Sequence, residues 1–191
     1  MLLRRRANRR RGMTVVESTL VLSVFLMLLF GLFEYCRFLM VLHVTHNAAR
    51  DGARYAVVNL DKPDNFTTTD YGTKPCIHTY TTLRMGAQQK NINNVHATYS
   101  PNGFQIAVYV CDQASLEQTP PLVRPKRAST AGGFPDPFVY GAANSVSWRS
   151  AAFTERVAVT IRGTYQPFTP VLLIMPTAIP IYVTSVMGSE G

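Results

Sequence analysis

"RRRGMTVVESTLVLSVF", Arg9 to Phe25, sets a carboxylate, Glu17, inside an apolar run that comes directly after a block of arginines. A membrane helix normally excludes such a charge, and a cleaved secretory signal has no use for one. Read outward, the stretch decides the fold. From Ser18 to Phe33 there are sixteen residues without a formal charge, and from Met13 there are twenty-one interrupted only by Glu17. A helix needs about 20 such residues to cross a hydrocarbon core ~30 Å thick. The segment of about 13–33 is therefore long enough to span, with Glu17 near one end.

Six arginines (Arg4, Arg5, Arg6, Arg9, Arg10 and Arg11) fall in the first twelve residues and account for most of the formal +8. Arginine runs neutralise phosphate and release counterions. Here, however, the run abuts the apolar segment, and no basic face interleaved with aromatics occurs beyond it, which argues against nucleic acid as a partner. Positive flanks instead hold one end of a membrane segment in the cytoplasm. No small-x-small cleavage site succeeds the apolar run, and bulky residues precede Cys36 where a lipoprotein signal needs small ones. The expectation is a retained single-pass anchor in membrane lipid, N-terminus cytoplasmic and the bulk of the chain outside.

The helical signal outlasts the membrane. Glu34 to Val58 contains no proline and one glycine, and Ala49, Gly52, Ala53 and Ala56 recur at three- and four-residue spacing. Such a stripe of small side chains lets another backbone approach closely. A helix over residues 13–58 would be roughly 70 Å long, so about half of it must protrude and pack on something. Residues 59–191 then read as an α+β domain outside the cytoplasm. Asn59 to Gly72 is a loop by composition, and Thr79 to Asn91 carries a weak helical pattern. His96 to Val110 reads as a hairpin turning at Pro101-Asn102-Gly103. An exposed loop covers 119–141, and Arg156 to Tyr165 alternates as a strand. Pro176 and Pro180 make Val171 to Met187 interrupted or edge strands rather than a second span.

Chemistry is sparse. No phosphate-binding glycine loop, nucleophile elbow or paired-cysteine zinc spacing occurs, so neither an enzyme nor a cofactor is expected. His43 and His46 lie three apart on the long helix without a third ligand nearby in sequence, and no metal site is expected of them. Cys76 and Cys111 both fall in the segment read as extracytoplasmic, where disulfides persist. A bridge between them would tie a loop to the sheet and leave Cys36 free.

Arg-Arg-Arg-Gly, then Met13, then glutamate fifth from it, then an apolar run: this resembles the processing site of type IV prepilins. The resemblance implies a leader of residues 1–12, a cut after Gly12 by a prepilin peptidase, and Met13 as the new N-terminus. Glu17 then sets register and recruits neighbouring subunits. The wider stretch, with Glu34-Tyr35, Arg37 and the Ala-Ala-Arg-x-Gly-Ala-Arg run from Ala48 to Arg54, is similar to the TadE-like pseudopilins of tight-adherence (Flp) pilus systems. It departs from many type IV pilins in lacking a mid-helix proline, and is longer than the major Flp pilins, which favours a minor pseudopilin.

The resemblance implies a pilin-like α+β fold, a long N-terminal helix packed on a small antiparallel sheet. Its partners would be the peptidase, other pilin and pseudopilin subunits, and an inner-membrane assembly platform. It would reside in a bacterial inner membrane and pass into an extracellular pilus after assembly. Two rivals stand beside this reading: an uncut anchor displaying a ligand-binding domain, and a substrate-binding or enzymatic domain tethered to a pilin-like helix.

Overall fold

In the computed structural model, residues 7–67, 70, 72–86, 88, 92–93, 104–139, 142–152, 154–168, 176 and 178–188 are described. The chain divides into two compact units, Met1–Leu39 with Pro167–Thr177, and Met40–Gln166 with Ala178–Gly191. Helix α1 runs over Ala7–Val58. With no proline in those 52 residues nothing breaks its hydrogen-bond ladder, and at 1.5 Å per residue it is about 78 Å long.

In the first unit nearly every α1 side chain from Met13 to Phe33 is exposed, and Glu34, directly after them, is buried at 5%. Its Oε2 accepts the Phe168 backbone N–H at 3.2 Å, and Arg37 approaches Oε1 at 3.5 Å. A buried carboxylate is tolerated where such donors replace water.

In the second unit α1 buries one flank, Val41, Thr45, Ala48, Ala49, Gly52, Ala53 and Ala56. Helix α2, Ile77–Met85, approaches that flank at Gly52. A Cβ added to Gly52 would sit 2.4 Å from Thr81 Oγ1, so only a hydrogen fits there. Tyr55 stacks on Tyr80 at 4.1 Å with the rings 10° apart, and donates its hydroxyl to the Pro75 carbonyl at 2.8 Å. Arg84 reaches Asp51 at 3.5 Å. Of the stripe, Gly52 meets α2 directly, at Thr81.

Helix α2 starts two residues before the predicted Thr79 and stops well short of Asn91. Cys76 supplies the start: its Sγ accepts the Thr79 N–H at 3.3 Å, while Asp70 accepts the Cys76 N–H at 2.7 Å. Gly86, at φ 54°, ends it in a conformation other residues avoid. The expected Cys76–Cys111 disulfide is therefore corrected, for all three cysteines are free thiols. Cys76 is occupied as a helix cap. Cys111 packs at the end of the sheet in a cluster with Ala107, Tyr109 and Ala158. Burial pushes its thiol up to about 12 against the pull of Arg156, which keeps it protonated and inert.

Four strands form one antiparallel sheet: β1 Ile92–Asn93, β2 Phe104–Val110, β3 Arg156–Tyr165 and β4 Ile179–Gly188. Strand β3 is central. It pairs with β2 from Phe104↔Gly163 to Val110↔Val157, and with β4 from Tyr165↔Ile179 to Arg156↔Gly188. Because β4 holds one edge of β3 throughout, the Ile92↔Tyr165 pair puts β1 on the other edge, beyond β2. The predicted strand Arg156 to Tyr165 is β3, and β4 is an edge strand with Pro180 at its second position, where a missing N–H costs least. The second arm of the predicted hairpin is β2. Its first arm and Asn-Gly turn, 96–103, lie outside the described residues.

Both faces of β3 are buried. Val157, Val159 and Ile161 point to one face with Phe104, Ile106 and Val110 beside them. On the other, Leu116 of α3 (Gln113–Leu116), Val123, Phe138 and Val186 close over Ala107, Tyr109, Cys111 and Ala158. The loop expected over 119–141 is exposed along much of its length, yet Val123 and Phe138 anchor it to the sheet. Lys126 donates its N–H to Val110 at 2.7 Å, and its ammonium pairs with Glu155.

His78 joins α2 to the sheet. Burial pulls its imidazole down from 6.5 to about 4, opposed by a hydrogen bond to the Ile106 backbone. A lowered folded value means the unfolded chain binds the proton more tightly between pH 6.5 and 4. The stability this contributes is present above pH 6.5 and is lost as pH falls through that window. The loss should approach 2–3 kcal/mol, somewhat less for a side chain that is only half-buried. Thermal melts of wild type and His78→Gln across pH 4–7 measure it: the wild-type Tm should fall more steeply, and parallel curves would show that His78 is not the group responsible.

Candidate functional site on the N-terminal helix

Over Met13–Val58, α1 is the one described helix long and apolar enough to cross a membrane, with a mean hydropathy of 2.3 over its most apolar window. Its surface from Met13 to Phe33 presents Val, Leu, Met and Phe side chains outward, Met13 at 77% and Phe33 at 65% exposure. In water that area would be a standing penalty; in hydrocarbon it is the solvent-facing surface. The hydroxyls in this run do not spoil it. Ser18 donates to the Thr14 carbonyl at 2.8 Å, Thr19 to Val15 at 2.8 Å and Ser23 to Thr19 at 2.7 Å. Each satisfies its polar hydrogen within the helix, the form in which serine and threonine tolerate apolar surroundings.

Glu17 has no such recourse. Its side chain is exposed, and no described residue hydrogen-bonds or ion-pairs with it. Leu20 and Val21, three and four residues on, give it an apolar flank. Gly12 and Met13 lie within the same helix, one turn before it. The carboxylate therefore stands where an ionised group is costly unless a cation is brought from elsewhere.

The remaining candidates separate. Ala49, Gly52, Ala53 and Ala56 are buried in the second unit, Gly52 against Thr81 of α2, apart from Glu17 in both sequence and unit. His43 and His46 are exposed on α1, and among the described residues no group of three or more His, Cys, Asp or Glu could hold a metal. Sequence reasoning missed the burial of Glu34, which entered only as part of a family pattern. The signal was there in the Glu-x-x-Arg spacing of Glu34 and Arg37 after Phe30 and Phe33.

No curated protein and no solved structure matches the chain. A family model does, over residues 12–54. That segment opens at the Gly12–Met13 junction and takes in Glu17, Glu34, Arg37 and all but Ala56 of the small-residue stripe. Residues 12–54 match the model of the TadE-like protein family, which makes that segment of the chain similar to TadE-like proteins.

Proposed function

We propose that this chain is a pseudopilin, a minor type IV pilin-like subunit that takes part in assembling or initiating a tight-adherence (Flp) pilus or a related secretion apparatus. One observation carries the reading. Within a TadE-like segment, a carboxylate with no partner among the described residues stands one helical turn beyond a glycine, on a stretch of helix that is otherwise apolar and almost wholly exposed from Met13 to Phe33. A prepilin peptidase cuts between Gly12 and Met13 on the cytoplasmic side and removes the arginine-rich leader. The helix from Met13 to about Phe33 holds the subunit in the inner membrane, and the unit bearing the sheet stands outside the cytoplasm. Glu17 pairs with an N-terminal amine within the growing assembly, and the protein leaves the membrane together with its neighbours through the assembly platform. None of these steps asks the chain for catalysis.

Intact-mass measurement of the membrane-extracted protein, from cells with and without an active prepilin peptidase, tests this. The mature chain should begin at Met13, and Gly12→Phe should abolish cutting, because a bulky side chain blocks close approach of the peptidase to the backbone. Persistence of residues 1–12 beside an active peptidase would overturn the reading in favour of an uncut anchor.

A further inference from the structure

In the unit formed by Met1–Leu39 and Pro167–Thr177, a cavity of about 330 Å³ is lined by Phe30, Phe33, Glu34, Arg37 and Phe168. Three walls are aromatic rings, and the other two are opposite charges 3.5 Å apart. We propose that this cavity binds one phospholipid whose headgroup carries a primary ammonium beside its phosphate, an ethanolamine phospholipid. The inference rests on the membrane-anchored reading above.

Position comes first. Met13 to Phe33 is 21 residues, about 30 Å of helix, which matches the hydrocarbon core. With Met13 at one boundary, Glu34 and Arg37 stand at the opposite one, level with lipid headgroups. The cavity's size falls at the low end for small-ligand sites, about 300–1,000 Å³. It takes a headgroup and leaves the acyl chains to run along the exposed apolar surface of α1.

Chemistry selects the headgroup. The Glu34 side chain is 6% exposed and that of Arg37 33%. Aromatic faces and a carboxylate both attract a cation, and more strongly where water is excluded. Each carboxylate oxygen accepts more than one hydrogen bond, so an ammonium can share Glu34 with the partners it already has, the Phe168 N–H among them. Arg37 presents a planar fork of donors that fits phosphate. The two charges of an ethanolamine phosphate lie a few bonds apart and of opposite sign, as do those of the cavity. A glycerol headgroup would satisfy Arg37 and leave Glu34 facing a hydroxyl. A choline headgroup has no N–H to give the carboxylate.

Native mass spectrometry of the full-length protein in detergent, titrated separately with phosphatidylethanolamine and phosphatidylglycerol, decides it. Wild type should retain the ethanolamine lipid at a concentration at least tenfold lower than the glycerol lipid. Glu34→Gln should erase that preference, and Arg37→Gln should weaken both lipids alike, with far-UV circular dichroism confirming an intact helix in each. Equal uptake of the two lipids by wild type, a preference that survives Glu34→Gln, or a lipid-free dimer would overturn the proposal. Failure of the anchoring reading shows separately, as a chain released from membranes by alkaline carbonate.

Discussion

Cells carrying Glu17→Ala in place of the wild-type protein should anchor it normally and lose most of their pili. The variant removes the single acid from the apolar run, which if anything favours insertion, by up to ~3 kcal/mol on translocon scales. Assembly moves the other way. On the pseudopilin reading proposed above, a carboxylate among apolar side chains, with no partner among the described residues, gains its stabilisation when a cation from an N-terminus reaches it. Breaking one member of a desolvated ion pair costs about 3–5 kcal/mol, more than a hundredfold in the equilibrium at each docking step. Pilus yield sheared from the surface should fall below about a tenth of wild type, while the amount in the inner-membrane fraction stays level or rises. Glu17→Asp, which keeps the charge on a shorter stem, should recover part of the loss. Normal pilus yield from the alanine variant at matched membrane levels would remove Glu17 from any pairing role.

The second large effect lies at the close approach of α1 and α2. In an exposed helix interior, replacing glycine by alanine gains nearly 1 kcal/mol of propensity. At Gly52 the sign reverses, because the new Cβ would meet Thr81 Oγ1 at 2.4 Å and Cγ2 at 3.3 Å. Overpacking of this kind costs about 1–3 kcal/mol, so Gly52→Ala should lose about 1–2 kcal/mol net. Gly52→Leu, which must push α2 away, should lose over 3 kcal/mol and the Tyr55–Tyr80 stacking with it. Thr81→Ala removes both offending atoms, and its hydroxyl is buried without a hydrogen-bond partner, so its loss costs little. Adding Gly52→Ala to Thr81→Ala should therefore be neutral or stabilising. A thermodynamic cycle of the four proteins, by denaturant unfolding of the full chain in detergent, should return a coupling of about 1–3 kcal/mol. Simple additivity would mean that the two helices do not meet at this glycine.

The legible parts of this chain are those set by local forces. Helix α1 was visible from Met13 to Val58, since the absence of proline and an unbroken apolar run are properties of neighbours along the chain, but its first turns from Ala7 carry arginines and were not read as helix. The stripe from Ala49 to Ala56 was equally visible as a surface made for close packing. Its occupant was not, because Thr81 and Tyr80 lie some thirty residues on and nothing local names them. Strands β2 and β3 showed in their β-branched alternation and β4 in its prolines. Their order, with β3 between β2 and β4, depends on pairings across tens of residues and left no mark on any single segment. Cys76 was misread for a related reason: a cysteine's spacing hints at a second cysteine, whereas its use as a helix cap depends on Thr79 three residues on. Glu17 was the most legible residue in the chain, because a charge that breaks an apolar pattern needs no structure to stand out. Glu34 hid behind the same pattern, since whether an acid at the end of an apolar run is solvated or buried is settled by Phe168, more than a hundred residues away.

The central place of β3 also sets an order of events during synthesis. Strand β2 is made some fifty residues before β3 and β4 more than a dozen after it, and neither has its registered partner until β3 exists. As the chain emerges from its N-terminus, α1 can enter the membrane and α2 can dock on it while the sheet is still only a set of loose segments. Phe104, Ile106 and Val110 must wait, uncovered, until β3 emerges. Arrest of synthesis between Val110 and Arg156 would thus leave a completed α1 trailing an apolar strand with nothing to pair with.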